Sequence, residues 1–207
     1  MPPTLTGLLR VGLVGSGNRQ LFDCRRQIRH LKNSANLPVV EGNIPRGGEG
    51  LAVGQFADTR RIFSSNDIRD FARIIGDYNP LHESLDTRRP SGQLSDVLNG
   101  HPLIKVDENG MTKEVVHGIL LSSLFSCIFG TLIPGSVYRS QTLDFRRPVF
   151  VDEAILGRVQ IINIEKQRRL DGLIVRCSTY VLKDDKECVR GEAEVWIRHG
   201  TTAEKDL

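Results

Sequence analysis

Two side chains that commonly transfer protons lie five positions apart in this sequence, on either side of a turn-forming Asn-Pro pair. The segment 76–82 reads Gly-Asp-Tyr-Asn-Pro-Leu-His, which places a carboxylate at Asp77 and an imidazole at His82. A carboxylate and a histidine that hold one water can remove its proton and return a proton elsewhere, each contributing about 10²–10⁴-fold in rate. The spacing therefore indicates general acid–base catalysis.

A second pair, His117-Gly118, opens a later apolar stretch. Backbone N–H groups at a helix start are suited to a developing oxyanion, and a glycine there lets a ligand approach the backbone closely. Gly118 is therefore a candidate binding residue. His117 is predicted to cap the helix that it precedes, with direct catalysis as the alternative.

The element before Asp77 is predicted to be a helix. Ser64 lies three residues before Asp67, an arrangement that caps a first helical turn. Four apolar residues then follow at helical spacing: Ile68, Phe71, Ala72 and Ile75. Pro80 disfavours helical geometry at Asn79, so the helix must end near residues 76–78.

The second helix is predicted to run from about His117 to Gly130 and to be buried on nearly all sides. Its apolar residues cover most of the circumference: Ile119, Leu120, Leu121, Leu124, Phe125, Ile128 and Phe129. Between the two helices, residues 90–113 contain three glycines and two prolines and are predicted to form a long loop.

The remaining segments favour β-strands, because they are rich in β-branched residues and are separated by turn-prone pairs such as Asp171-Gly172 and Asp184-Asp185. The predicted strands cover residues 55–63, 137–147, 154–164, 173–182 and 189–197. Short connections between the later strands make them antiparallel. The economical arrangement is an α+β domain in which a curved antiparallel sheet wraps around a central hydrophobic helix.

Together these features resemble the MaoC-like dehydratases and the (R)-specific enoyl-thioester hydratases. That family carries a G-D-x-N-P-x-H stretch and a later H-G at the start of the central helix of a hotdog fold. The resemblance covers about residues 55–198, and it implies a hotdog fold with Asp77 and His82 as the catalytic pair. It further implies that Asn79 helps to hold the substrate site, although Asn79 equally suits a role in fixing the turn. Gly118 would bind the thioester oxygen through its N–H.

The activity implied by the resemblance is reversible dehydration of (3R)-3-hydroxyacyl thioesters, carried on CoA or acyl-carrier protein, to trans-2-enoyl thioesters. It implies neither a metal nor another cofactor. A homodimer is expected, because the curved sheet leaves edges that pairing would cover. Two alternatives are a hotdog acyl-thioester hydrolase and a non-catalytic acyl-thioester-binding subunit. The 90–113 loop is longer than in compact family members, and Ile75 replaces a residue that is often small, so the acyl chain length is left open.

Charge is unevenly distributed along the 207 residues. Residues 1–40 hold six Lys and Arg and one acid, whereas the rest of the chain has two more acids than bases. The latter balance argues against nucleic-acid binding. An Arg-rich, acid-poor and amphipathic start is typical of a mitochondrial transit segment, a feature shared with mitochondrial 3-hydroxyacyl-thioester dehydratases, and a basic tail without a targeting role is the alternative.

The predicted organisation is a transit segment over 1–40, a linker over 41–54, the hotdog domain over 55–198 and a tail over 199–207. No apolar run reaches the roughly 20 residues that a membrane-spanning helix needs. The four cysteines show no CxxC spacing, so a zinc site, a disulfide or a cysteine nucleophile is not expected.

Overall fold

The elements follow the predicted order of a strand, two helices and a series of strands, preceded by one strand that was not predicted. The computed structural model describes residues 39–88, 101–167 and 171–198. The strands are β1 (Val40–Gly42), β2 (Phe56–Ile62), β3 (Val137–Gln141), β4 (Asp144–Phe145), β5 (Ala154–Gln167), β6 (Gly172–Lys183) and β7 (Lys186–Arg198). The helices are α1 (Ser65–Ile75) and α2 (Gly118–Leu132).

Within these residues the strands form one antiparallel sheet in the order β1-β2-β5-β6-β7-β3, and β4 also pairs with β7. A tight turn joins β6 and β7: Asp184 and Asp185 both adopt positive φ, the geometry that matches the twist of a two-residue hairpin. The sheet bends around α2, which packs against five of its strands. This is the predicted curved sheet around a central helix.

Helix α2 supplies the centre of the core. Phe125 and Ile128 are completely buried. The prediction that α2 is buried on nearly all sides was wrong, because Ile119 is 56% exposed and Ser123, Ser126 and Gly130 continue the same exposed face. The helix lies close to the sheet because β5 has a glycine beneath it: a Cβ on Gly157 would come within 2.9 Å of the Leu124 side chain. No helix in the described part of the chain is long and apolar enough to cross a membrane.

Helix α1 begins and ends as predicted. The Ser64 hydroxyl accepts the N–H of Asp67, whose carboxylate accepts the N–H of Ser64, and Gly76 ends the helix with a φ of 77°. The predicted apolar stripe is only partly buried: Ile68 and Ala72 lie in the core, but Ile75 is 48% exposed. Including Ile75 in the stripe was wrong, because the last turn of α1 extends beyond the core.

The structure differs from the sequence prediction between residues 41 and 54. This range was predicted to be a linker, yet β1 pairs with β2, and Ile44 is buried in the core. The Asn43 side chain accepts the N–H of Phe56, which fixes the chain against the start of β2. The sequence signal was weak because the segment is rich in glycine and has little periodicity. Residues 1–38 of the transit segment predicted over 1–40 lie outside the described residues, as does the tail predicted over 199–207. The predicted end of that segment at residue 40 was wrong, because Val40 belongs to β1.

Candidate active site

Asp77 lies immediately after α1, where the left-handed Gly76 turns the chain. One carboxylate oxygen, Oδ1, accepts the N–H of Asn79 at 3.2 Å, and the side chain is 45% exposed. The other oxygen, Oδ2, faces two histidines, His82 and His117. The turn after α1 therefore holds the carboxylate through Oδ1 and leaves Oδ2 available for proton transfer.

His82 is delivered by a short 3-10 turn over Pro80–His82. The Asn79 side chain accepts the N–H of Leu81 at 3.0 Å, so Asn79 stabilises this turn. Nδ1 of His82 lies 2.6 Å from the carbonyl oxygen of Val115 and must be protonated to donate to it. In the neutral ring the lone pair is then on Nε2, the nitrogen that faces Asp77.

The distance between Nε2 of His82 and Oδ2 of Asp77 is 3.8 Å. This is too long for a direct hydrogen bond, but one oxygen atom placed beside both groups can contact each of them. His82 is 14% exposed, so the pair lies at a partly sheltered surface that substrate can reach. The structure thus brings together the two residues predicted to be catalytic.

His117 occupies the N-cap position of α2, but its side chain makes no capping hydrogen bond. The predicted capping role was therefore wrong, because the side chain turns away from the helix. Its ring stacks on His82 with centroids 3.6 Å apart, and Nε2 lies 3.3 Å from the backbone oxygen of Asp77. Burial, together with the neighbouring His82, lowers the pKa of His117 below its ordinary value, and this outweighs the opposing effect of Asp77.

Gly118 is the first residue of α2 and directly follows His117. A Cβ at this position would lie 2.6 Å from the ring of Phe145. This glycine was predicted to allow close approach of a ligand; in the structure the residue that approaches it closely is Phe145. Because the side chain of His117 leaves the start of α2 uncapped, the first backbone N–H groups of the helix remain available to an acceptor.

A cavity of about 530 Å³ opens beside the pair. Its wall includes Ser65, Arg69, Arg73, Asp77, His82 and Glu114. Glu114 is buried and accepts a hydrogen bond from the hydroxyl of Ser65, the first residue of α1.

Sequence reasoning missed four of these six residues. Ser65, Arg69 and Arg73 recur every four residues, so they form a second, polar face of α1 that leads to Asp77. That face was detectable in the sequence. The position of Glu114 in the cavity wall was not detectable, because no adjacent residue in the sequence indicates that Glu114 is buried.

The ligand atoms of Asp77, His82 and His117 all lie within 4.8 Å of one another, a spacing compatible with a metal ion. However, Nε2 of His117 is placed to donate its N–H to the Asp77 carbonyl, which a metal-bound lone pair cannot do. Asp77 and His82 then remain, fewer protein ligands than a catalytic zinc site has. The donor set fits proton transfer better than metal binding.

Cys177 lies in β6 and does not provide a nucleophile. It is fully buried, and this burial raises its pKa to about 12. A thiol of that pKa is not ionised near neutral pH.

An antiparallel sheet wrapped around a buried helix, with a carboxylate and a histidine at the helix start, defines an enzyme of the hotdog fold. The solved (R)-hydratase from A. caviae involved in PHA biosynthesis superposes with a TM-score of 0.56 at 30% identity, covering 72% of this chain and 98% of that one. No protein-family model matches the chain.

Two sequence relatives agree with this assignment. The mitochondrial 3-hydroxyacyl-[acyl-carrier-protein] dehydratase of Arabidopsis thaliana is 35% identical over 139 residues, which are 67% of this chain and 72% of the relative. The (R)-specific enoyl-CoA hydratase of Aeromonas caviae is 30% identical over 149 residues, which are 71% of this chain and 96% of the relative. This chain therefore belongs to the MaoC-like family of 3-hydroxyacyl-thioester dehydratases and (R)-specific enoyl-thioester hydratases.

Proposed function

We propose that this protein catalyses the reversible dehydration of (3R)-3-hydroxyacyl thioesters to trans-2-enoyl thioesters. The observation that carries the proposal is the 3.8 Å separation of the Asp77 carboxylate and His82 Nε2 beside an open cavity. Two proton-transferring groups at that separation can hold one water or one hydroxyl between them. The reaction class agrees with the names of the relatives.

In the hydration direction, water bound between the two groups attacks C3 of the enoyl thioester. The pair takes one proton from that water as the C3–O bond forms, and it supplies one proton to C2, so no net proton is gained or lost. Neutral His82, with its proton held on Nδ1 by Val115, has a free lone pair on Nε2 for the first transfer. Dehydration follows the same steps in reverse.

Negative charge develops on the thioester oxygen while C2 awaits its proton. The N–H of Gly118, at the uncapped start of α2, is the donor that we assign to this oxygen. The helix dipole adds to the effect, because the positive end of α2 points to the same place. Asn79 contributes by holding the turn that carries His82, with a direct substrate contact as a further part of the proposal.

The test is to incubate the full chain with crotonyl-CoA and to follow both enoyl absorbance and free thiol. Loss of enoyl absorbance without thiol release supports the hydratase. Thiol release would mean an acyl-thioester hydrolase, and binding without either change would mean a non-catalytic binding subunit. Crotonyl-acyl-carrier protein, assayed in parallel, distinguishes the two carriers by their kcat/KM.

We also propose that the enzyme is a homodimer formed through β3 and the start of α2. β3 lies at one end of the strand order, and Val137 in β3 and Ile119 in α2 expose most of their apolar surface. Val137→Lys is expected to give a monomer in light scattering. Val53→Lys, at an exposed apolar site in the segment between β1 and β2, is the control that should remain dimeric.

Residues 1–40 are proposed to direct the protein to mitochondria. The basis is their excess of positive charge, together with the fact that the Arabidopsis thaliana relative is named as mitochondrial. Fatty acid metabolism in that compartment is the corresponding role.

A further inference from the structure

His117 is a buried histidine in contact with both members of the catalytic pair. It precedes α2, but only 2% of its surface is exposed, and its side chain points to the end of α1 instead of capping its own helix. Burial of a histidine that neither caps a helix nor reaches solvent must have another cause. The side chains around the ring of His117 indicate that cause.

The imidazole of His117 is held on two sides. One side stacks on His82, with centroids 3.6 Å apart and ring planes 21° apart. The ring of Phe71 in α1 meets it edge-on, with centroids 5.2 Å apart. The His82 ring therefore cannot tilt toward His117, because that space is filled by a ring that is itself packed.

The nitrogen atoms of His117 have different surroundings. Nε2 lies 3.3 Å from the backbone oxygen of Asp77 and 3.9 Å from its carboxylate oxygen Oδ2. Nδ1 is buried without a hydrogen-bond partner in the described residues. A proton on Nδ1 would be an unsatisfied buried donor, so the favoured neutral form carries its proton on Nε2 and donates it to Asp77.

From this geometry we infer that His117 is a positioning residue that aligns Asp77 and His82 with each other; this rests on the proposed function. Its N–H holds the backbone of Asp77, and its ring fixes the plane of His82. It does not transfer protons to substrate, since its one proton is used by the Asp77 carbonyl and its free nitrogen faces protein. The alignment matters because a displacement of about 1 Å at reacting groups can cost 10²-fold in rate.

Two replacements separate the two contacts. His117→Phe keeps a stacked ring and loses the N–H, whereas His117→Gln keeps an amide N–H and loses the ring. Each should lower kcat for enoyl hydration at least about 10-fold and leave KM within about twofold, because alignment affects the transition state more than binding. Val116→Ala, at the adjacent buried core residue, is the control for general loosening, and it should keep kcat.

The Asp77→Asn background distinguishes positioning from plain destabilisation. If His117 acts through Asp77, His117→Phe should cost little further activity in that background, because residues that act as a unit do not lose rate additively. Multiplied losses would overturn the inference, as would near-normal kcat in both single variants. His117→Gln keeps the test informative if His117→Phe does not fold.

A measurement without substrate separates this inference from the proposed function. Nitrogen-15 NMR of the full chain should show His117 as a neutral ring protonated on Nε2, and His82 protonated on Nδ1. A His117 proton on Nδ1 would overturn the inference even if the enzyme is active. Absence of hydration by the unaltered protein, with these tautomers observed, would instead refute the proposed function and leave the assigned geometry in place.

Discussion

The ring of Phe145 occupies the space where a side chain on Gly118 would have to lie, since a Cβ there would be 2.6 Å from its Cε1. Gly118→Ala forces this ring to move, and because Phe145 is 52% exposed the ring can shift toward solvent, so we expect a loss of at most about 1 kcal/mol in the free energy of unfolding. Phe145→Leu in the same chain should recover part of this loss. Urea unfolding of the two single variants and the double variant measures both effects.

The same set of variants examines the binding role of Gly118. Alanine keeps the backbone N–H, so the stabilised double variant should retain most of its turnover if the N–H is what the thioester oxygen needs. A stable double variant with a rate reduced by 10²-fold or more would instead mean that the substrate needs the open space. The two roles of Gly118 can thus be separated.

The catalytic pair gives the most direct prediction. Asp77→Asn and His82→Gln should each slow hydration of a trans-2-enoyl thioester by at least about 10²-fold, the low end of general acid–base contributions. The double variant should be scarcely worse than either single one. Asp70→Asn, at an exposed aspartate of α1, is the matched control and should keep its rate.

The melting temperatures of Asp77→Asn and His82→Gln show whether a loss of activity reflects a loss of folding. Little change is expected, because both replacements nearly preserve side-chain shape. Unchanged melting with lost activity supports a chemical role. Near-normal turnover of either single variant would contradict the assigned pair, and loss of folding in both would make the segment a structural turn.

The hydrogen bond from Ser65 to Glu114 joins α1 to the segment before α2. Ser65→Ala leaves a buried carboxylate without this donor, and we expect a loss of about 1–3 kcal/mol in the free energy of unfolding. Ser123→Ala removes a hydroxyl from the exposed side of α2 and is the control, with an effect near zero. Equal stability of the two variants would show that solvent replaces the lost hydroxyl at Glu114.

His117 should make stability depend on pH. Its native pKa lies below the ordinary 6.5 because of burial and His82, whereas Asp77 opposes the shift. Below pH 6.5 the unfolded chain binds a proton that the native protein does not, so stability is complete above that pH and falls as pH decreases to the native pKa. The slope is at most about 1.4 kcal/mol per pH unit.

Comparing unfolding of the unaltered protein with that of His117→Phe at several pH values isolates this effect. As pH falls below 6.5, the unaltered protein should lose stability relative to His117→Phe. Above pH 6.5 the difference in stability between the two proteins should be constant. A constant difference throughout would mean that His117 titrates normally in the native protein.

Removal of the N-terminal segment should leave catalysis intact. The structure refines the boundary: β1 begins at Val40 and pairs with β2, so a chain starting at residue 39 should fold, whereas one starting near 45 loses a strand. A reporter carrying residues 1–50 should enter mitochondria. Cytosolic fluorescence of that reporter, or an inactive truncation at residue 39, would contradict the prediction.

Sequence alone predicts the parts of the fold that depend on local signals. The capping box at Ser64, the helix-ending Gly76 and the apolar run of α2 are local signals, and the two helices that they predict were confirmed. Burial of α2 on nearly all sides was not, because Ile119 lies on an exposed face. β1 could not be predicted, because its pairing with β2 depends on a contact 19 residues away between Val40 and Thr59. Burial of Ile44 follows from that pairing and not from its neighbours.

Prediction of the site shows the same limit. Asp77 and His82 were identifiable because their spacing across a Pro turn is local. The orientation of His117 was not, because α2 offers a capping role at that position and only the folded chain brings Asp77 to the other side. Glu114 was missed for the same reason: its burial and its bond to Ser65 depend on residues 49 positions apart.

The hydrogen bond between His82 and Val115 spans 33 positions, and the one between His117 and Asp77 spans 40. Contacts this distant in sequence require closure of large chain loops, which delays their formation relative to local helices and hairpins. During refolding, α2 should therefore become helical before the hydrogen bond to Val115 fixes the tautomer of His82. Enzymatic activity should accordingly return with the slowest folding phase, when α1 docks beside the start of α2.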